Sequence, residues 1–140
     1  MKNKIKQKIA TVSSLILGLT LGLPNQPAQA TGKSCAKFGI NDTCLTVNGS
    51  GLAVNSLKAE FVIKPSERCI PNWRYRISFR DINNREYASL NGPIHRTCDK
   101  SGNFSKTYPR PYRARQGKIC ASLYDFTDTY ITQSCVSIRP

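Results

Sequence analysis

The sequence is short of histidine, acid and helical periodicity. One imidazole, His95, stands in 140 residues, which excludes a two-histidine nuclease with separate acid and base. No serine sits in a nucleophile elbow. No C-x-x-C spacing occurs among the six cysteines, against a zinc ribbon, an iron–sulfur site or a thioredoxin-type redox pair. No Gly-rich phosphate loop or His-Glu zinc motif is present. Asp125 and Asp128 lack the glycine and the later glutamate of a calcium loop. They read as turn residues bonding their own backbone. His95, in Asn91-Gly92-Pro93-Ile94-His95-Arg96, reads as a solvated loop side chain, because chemistry needs a constellation. No catalytic residue, metal ligand or cofactor is assigned, and the chain reads as a non-enzyme.

Acid is scarce too: 8 Asp and Glu face 21 Lys and Arg, for a net charge of +13. Four of those lysines (Lys2, Lys4, Lys6, Lys8) head the chain and are followed by the apolar run Ile9–Leu23. Pro24–Ala30 then closes with Ala28-Gln29-Ala30. This charged, greasy, small-residue order is that of a secretory signal peptide spanning 1–30. The run is short of the roughly 20 residues that a membrane span needs. No cysteine follows Ala30 directly, so no lipid anchor is expected. The expected product is a single 31–140 domain, secreted or periplasmic, without a membrane span and monomeric. It keeps 17 basic against 8 acidic side chains, a net +9.

All six cysteines, at 35, 44, 69, 98, 120 and 135, fall in this domain. An even number in a small exported domain predicts three disulfides. Lys118–Tyr124 and Tyr130–Ile138 both look like strands and are joined by five residues. With Tyr124 opposite Ile131 in an antiparallel hairpin, Cys120 falls opposite Cys135, Ile119 opposite Val136 and Leu123 opposite Thr132. Opposing Cβ atoms lie about 4.5–5.5 Å apart, near the reach of a disulfide. Cys35–Cys44 and Cys69–Cys98 are then the least entangled remainder.

Apolar residues alternate with period two. Trp73, Tyr75, Ile77 and Phe79 interleave with Arg74, Arg76, Ser78 and Arg80. Leu57, Ala59, Phe61 and Ile63 interleave with Lys58, Glu60 and Val62. Such runs are half-buried strands. Cys44–Asn48 and Glu86–Leu90 add shorter ones, and Gly, Asn and Asp clusters punctuate them. About seven short strands predict an all-β fold, a small antiparallel β-sandwich of immunoglobulin-like architecture stabilised by disulfides, with Trp73 in its core. A small β-barrel is the alternative.

The excess of positive charge is the functional lead. Arg74 and Arg76 stand about 6.8 Å apart on one strand face, with Arg80 beyond, and guanidinium forks suit carboxylate, sulfate or phosphate. A second cluster holds Lys106, Tyr108, Arg110, Tyr112, Arg113, Arg115 and Lys118. Its prolines, Pro109 and Pro111, predict an exposed, extended connection. Cations interleaved with rings can engage polyanions or planar sugar faces. The sequence therefore points to an extracellular or envelope-associated binding module for an anionic partner such as acidic polysaccharide or another polyanion. It carries no sign of specific nucleic-acid recognition. A protease inhibitor offering Arg113 or Arg115 to a trypsin-like pocket, and an antimicrobial or toxin-like protein acting on anionic membranes, are the alternatives. The latter lacks an amphipathic helix.

Overall fold

The computed structural model describes residues 30–67, 69, 72–125 and 127–140. The expected leader, 1–30, therefore lies outside the described residues except for Ala30, which is buried. Nine strands follow: β1 (Gly32–Phe38), β2 (Asn41–Ser50), β3 (Ala53–Ile63), β4 (Trp73–Asp81), β5 (Glu86–Asn91), β6 (Gly102–Tyr108), β7 (Tyr112–Arg113), β8 (Gly117–Asp125) and β9 (Tyr130–Ile138). They form two antiparallel sheets. The first runs β1-β2-β3-β6, with β7 also paired to β3; the second runs β5-β4-β8-β9. Among the described residues there is no helix, and the two sheets remain separate, so the molecule is a β-sandwich and not a barrel.

The alternation seen in the sequence fills the space between the sheets. Leu57, Ala59, Phe61 and Ile63 from β3 meet Trp73, Tyr75, Ile77 and Phe79 from β4, with Ile119, Ala121 and Leu123 from β8. Trp73 is 3% exposed. Phe61 approaches it edge-on at 5.0 Å, a geometry that the ring quadrupole favours. Three strands, β1, β6 and β7, lie beyond the runs named from the sequence. β1 turns only small residues, Ser34 and Ala36, inward between Lys33, Cys35 and Lys37, so no apolar periodicity announces it. The third, β7, is two residues long.

The three disulfides are Cys35–Cys44, Cys69–Cys98 and Cys120–Cys135. Cys35 and Cys44 are register partners in the first sheet, and Cys120 and Cys135 in the second. Each of these pairs has Cα atoms 4.0 Å apart. The third joins the β3–β4 and β5–β6 connections. Three disulfides are the chemistry of an oxidising environment, extracellular or periplasmic. The β8–β9 register follows the expectation from Ile119↔Val136 to Leu123↔Thr132 and then departs from it. A bulge after Leu123 sets Tyr124 opposite Tyr130 and not Ile131, which shortens the turn.

Two turns of the second sheet use one device. Asp81 Oδ1 accepts from the amides of Asn83 and Arg85, each at 2.9 Å. Asp125 Oδ1 accepts from the amides of Thr127 and Thr129, at 2.8 and 2.9 Å. In each turn the fourth residue, Asn84 or Asp128, takes positive φ, 62° and 61°, which Asn and Asp tolerate best among side chains with a Cβ. Hydrogen bonding, first from the Thr127 hydroxyl, holds the Asp125 carboxyl below its usual pKa. Asp125 is thus the backbone-bonding turn residue expected. Asp128 is not: its carboxylate pairs with Arg74.

Candidate functional site

The strand arginines are spoken for. Arg74 Nη2 lies 2.7 Å from Asp128 Oδ1 and its guanidinium sits 5.8 Å from the Tyr124 ring centroid. Arg76 pairs with Glu86, and Arg80 reaches the same carboxylate at 3.8 Å. Arg80 Nε also donates to Ser78 Oγ at 3.4 Å. On the first sheet, Asp42 binds Lys37 and Lys64, while Glu60 binds Lys33 and Lys58. Lys37 depresses the Asp42 pKa, and Lys58 does the same for Glu60. The row on β4 therefore presents charge largely offset by neighbours.

The second cluster is different. Among the described residues Lys106, Arg110, Arg113, Arg115 and Lys118 have no carboxylate within ion-pair distance. The segment is also more built than an exposed connection. Lys106 and Tyr108 belong to β6, at the edge of the first sheet. Pro109 and Pro111 interrupt that edge, where a missing amide is tolerated. Tyr112 and Arg113 pair with Val54 and Ala53 as β7. The chain then crosses to the second sheet at Ala114, which is buried and donates its amide to Leu52 O at 2.9 Å. Arg115 is held through its own amide, which donates to the Tyr87 hydroxyl at 2.8 Å, and its guanidinium lies 4.8 Å from that ring's centroid. Arg113 and Arg115 are thus both fastened to the scaffold.

The topology gathers six of the unpaired cations at one end, while Arg96 and Lys100, which also lack an ion-pair partner among the described residues, lie toward the other. Arg85 in the β4–β5 turn, Arg110, Arg113 and Arg115 in the crossing, Lys118 at the start of β8 and Arg139 after β9 share the end where Asp81 meets Gly117 and Ile138. Lys118 stands directly opposite Arg80, so the two basic regions touch at that one point. The acids there are Asp81, whose oxygen is used by the turn, and Glu86, which is shared by two arginines. At the opposite end Asp42, Glu67, Asp99, Asp125 and Asp128 balance the described cations.

A groove runs along β6, at the edge of one sheet, where it meets β4, the end of β5 and residues 93–95. Two cavities lie along it. One, of about 390 Å³, is lined by Trp73, Tyr75, Ile94, His95, Phe104 and Lys106, among others. The other, of about 260 Å³, is lined by Leu90, Lys106, Tyr108, Pro109, Arg110 and Tyr112, with Thr107. Lys106 borders both. Its register partner is the inward-facing Ala59, so the lysine interrupts an otherwise apolar row on β6, between Phe104 and Tyr108. Burial raises the Tyr75 and Tyr108 phenol pKa values, so both stay neutral donors.

His95 is not the solvated side chain that the sequence suggests. It forms a backbone bridge with Trp73, donating to Trp73 O at 2.7 Å and accepting from Trp73 N at 3.1 Å. Its ring stacks on the indole at 4.7 Å and meets Phe104 at 4.5 Å. Its Nε2 contacts Asp99 Oδ2 at 2.5 Å and Thr97 Oγ1 at 2.7 Å. Both partners address the same nitrogen, unlike a catalytic triad, where base and orienting acid use opposite nitrogens. The arrangement closes one end of the groove.

The structure thus brings Lys106, Tyr108, Arg110 and Tyr112 into one groove. It places Arg113, Arg115 and Lys118 around the adjacent end, and leaves Arg74 and Arg76 apart on an outer face. Sequence reasoning missed the groove residues Trp73, His95, Phe104 and Leu90. A cue was available in β6, where Phe104, Lys106 and Tyr108 alternate. Among the described residues no three His, Cys, Asp or Glu side chains cluster as a metal site, and no helix is long and apolar enough to cross a membrane. A comparison with protein-family models, curated proteins and solved structures found no match.

Proposed function

We propose that this chain is an exported binding module, secreted or periplasmic, for an anionic polymer, with acidic polysaccharide as the partner class. One observation carries the reading: among the described residues the cations of Lys106–Lys118 have no carboxylate within ion-pair distance, and Arg113, Arg115 and Lys118 collect at one end of the sandwich beside the groove that holds Lys106 and Arg110, while the strand arginines do have partners. Cations left unpaired on a rigid scaffold lose little of their field to neighbours and attract an opposite charge over a Debye length, about 8–10 Å at ordinary salt. The disulfides and the leader-like first thirty residues support an extracellular setting.

The test is salt-dependent retention. At low salt the protein should bind an anionic polysaccharide column and elute as salt rises. An Arg113→Gln/Arg115→Gln/Lys118→Gln variant should elute at clearly lower salt, and an Arg76→Gln variant close to the parent. Passage through the column at low salt with the volume of an inert neutral protein refutes the reading.

A further inference from the structure

The groove along β6 alternates one cation with apolar walls, and this pattern says more about the partner than net charge does. Resting on the anionic-polymer reading above, we infer that the groove is the seat of a linear polyuronate, a chain of sugar rings each bearing a carboxylate. The chain lies along β6 with one carboxylate at Lys106 and another at Arg110.

The geometry gives two reasons. The cavities on either side of Lys106, about 390 and 260 Å³, are at or below the low end of the roughly 300–1,000 Å³ of a pocket for a drug-sized ligand. Each suits a ring, not a folded partner. Their walls supply carbon surface on both sides of the lysine. Phe104, Ile94 and His95 lie on one side, and Tyr112, Pro109 and Leu90 on the other. A sugar ring has a C–H face to lay against such walls; a bare sulfate or phosphate has none. Residues 103–108 span about 17 Å of strand, with Lys106 inside that length and Arg110 just beyond it, so two cations stand along the line of the apolar walls.

Trp73 is the one tryptophan of the chain and borders the larger cavity, so its emission reports occupancy. The purified protein is titrated with a galacturonic acid hexamer, with the same hexamer fully methyl-esterified, and with a single-stranded oligonucleotide of similar length. The expected result is saturable binding of the acid hexamer and at least tenfold weaker binding of the ester. Lys106→Gln, with circular dichroism confirming its fold, should bind the hexamer at least fivefold more weakly. Lys33→Gln, on β1 and paired with Glu60 outside the groove, should stay within twofold of the parent. Equal affinity for acid and ester, an unaffected Lys106→Gln variant, or tighter binding of the oligonucleotide overturns the assignment. If the protein is held on the anionic column but the hexamer does not bind, the groove assignment fails while the anionic reading stands. Loss of column retention as well overturns both.

Discussion

Removing the disulfides one pair at a time should destabilise the protein in an order set by the loops they close. The sequence separations are 9 for Cys35–Cys44, 15 for Cys120–Cys135 and 29 for Cys69–Cys98. In the chain-entropy account the cross-links contribute about 2.6, 3.0 and 3.6 kcal/mol respectively. The hairpin pairs join strands that are already adjacent, whereas Cys69–Cys98 joins two connections that otherwise share the backbone hydrogen bond from Ser66 N to Lys100 O, at 3.2 Å. Double alanine replacements avoid burying a hydroxyl. Each hairpin pair has one buried cysteine, Cys44 at 5% exposed and Cys120 at 0%, so the packing losses are similar and loop length sets the order. Cys35–Cys44 should therefore be the cheapest to lose. The assay is equilibrium urea unfolding without reductant. With an m-value of about 2 kcal/mol/M, the midpoints should fall by about 1.3 M for Cys35–Cys44, about 1.5 M for Cys120–Cys135 and about 1.8 M for Cys69–Cys98. A Cys35–Cys44 removal that costs as much as either of the others refutes the reasoning.

Two further outcomes follow from the fold. Gly117 has φ +150°, and a Cβ there would lie 2.1 Å from Arg80 O. Gly117→Ala should thus cost at least about 1–3 kcal/mol from backbone strain alone, read as a lower urea midpoint, and an unchanged midpoint would contradict the close approach of β4 and β8. The folded-state pKa values of Asp42, Glu60 and Asp125 are lowered, chiefly by hydrogen bonds from Lys37, Lys58 and Thr127. The folded chain therefore binds fewer protons than the unfolded chain in acid. Their contribution is fully present above the unfolded values near pH 4 and is lost as pH falls through the lower folded values. Thermal unfolding should occur at lower temperature at pH 3 than at pH 6, and an equal or higher value at pH 3 would disprove the sign.

The legible part of the fold was that written in two-residue alternation. β3, β4, β8 and β9 carry large apolar side chains on one face, and their register could be read closely enough to place Cys120 against Cys135. The bulge after Leu123 left no mark, because nothing in Tyr124-Asp125 differs from an ordinary strand end. β1 and β6 were hidden for a related reason. They are edge strands, where small residues or a lysine replace the oily side chains that reveal a period. The site was legible in composition and not in arrangement. Lys106, Tyr108, Arg110 and Tyr112 could be named, but local sequence does not show that β6 meets β4 and the end of β5 along a groove. Nor could the company of His95 be read, since Trp73 lies 22 positions away and Phe104 on another sheet. Ion pairing was the least accessible feature: Arg74 meets Asp128 because the β4–β8 register sets Trp73 opposite Asp125, a relation among distant segments.

The separation of charge along the sandwich has a mechanical consequence. A body whose described side chains leave cations unbalanced at one pole and nearly balanced at the other carries an electric moment between them, and a negatively charged wall turns it before contact. The pole with Arg113 and Lys118 arrives first. The β1–β2 turn, with the exposed Phe38 and Ile40, is left facing the solvent, so a molecule held at such a wall stands upright and displays its oily tip outward.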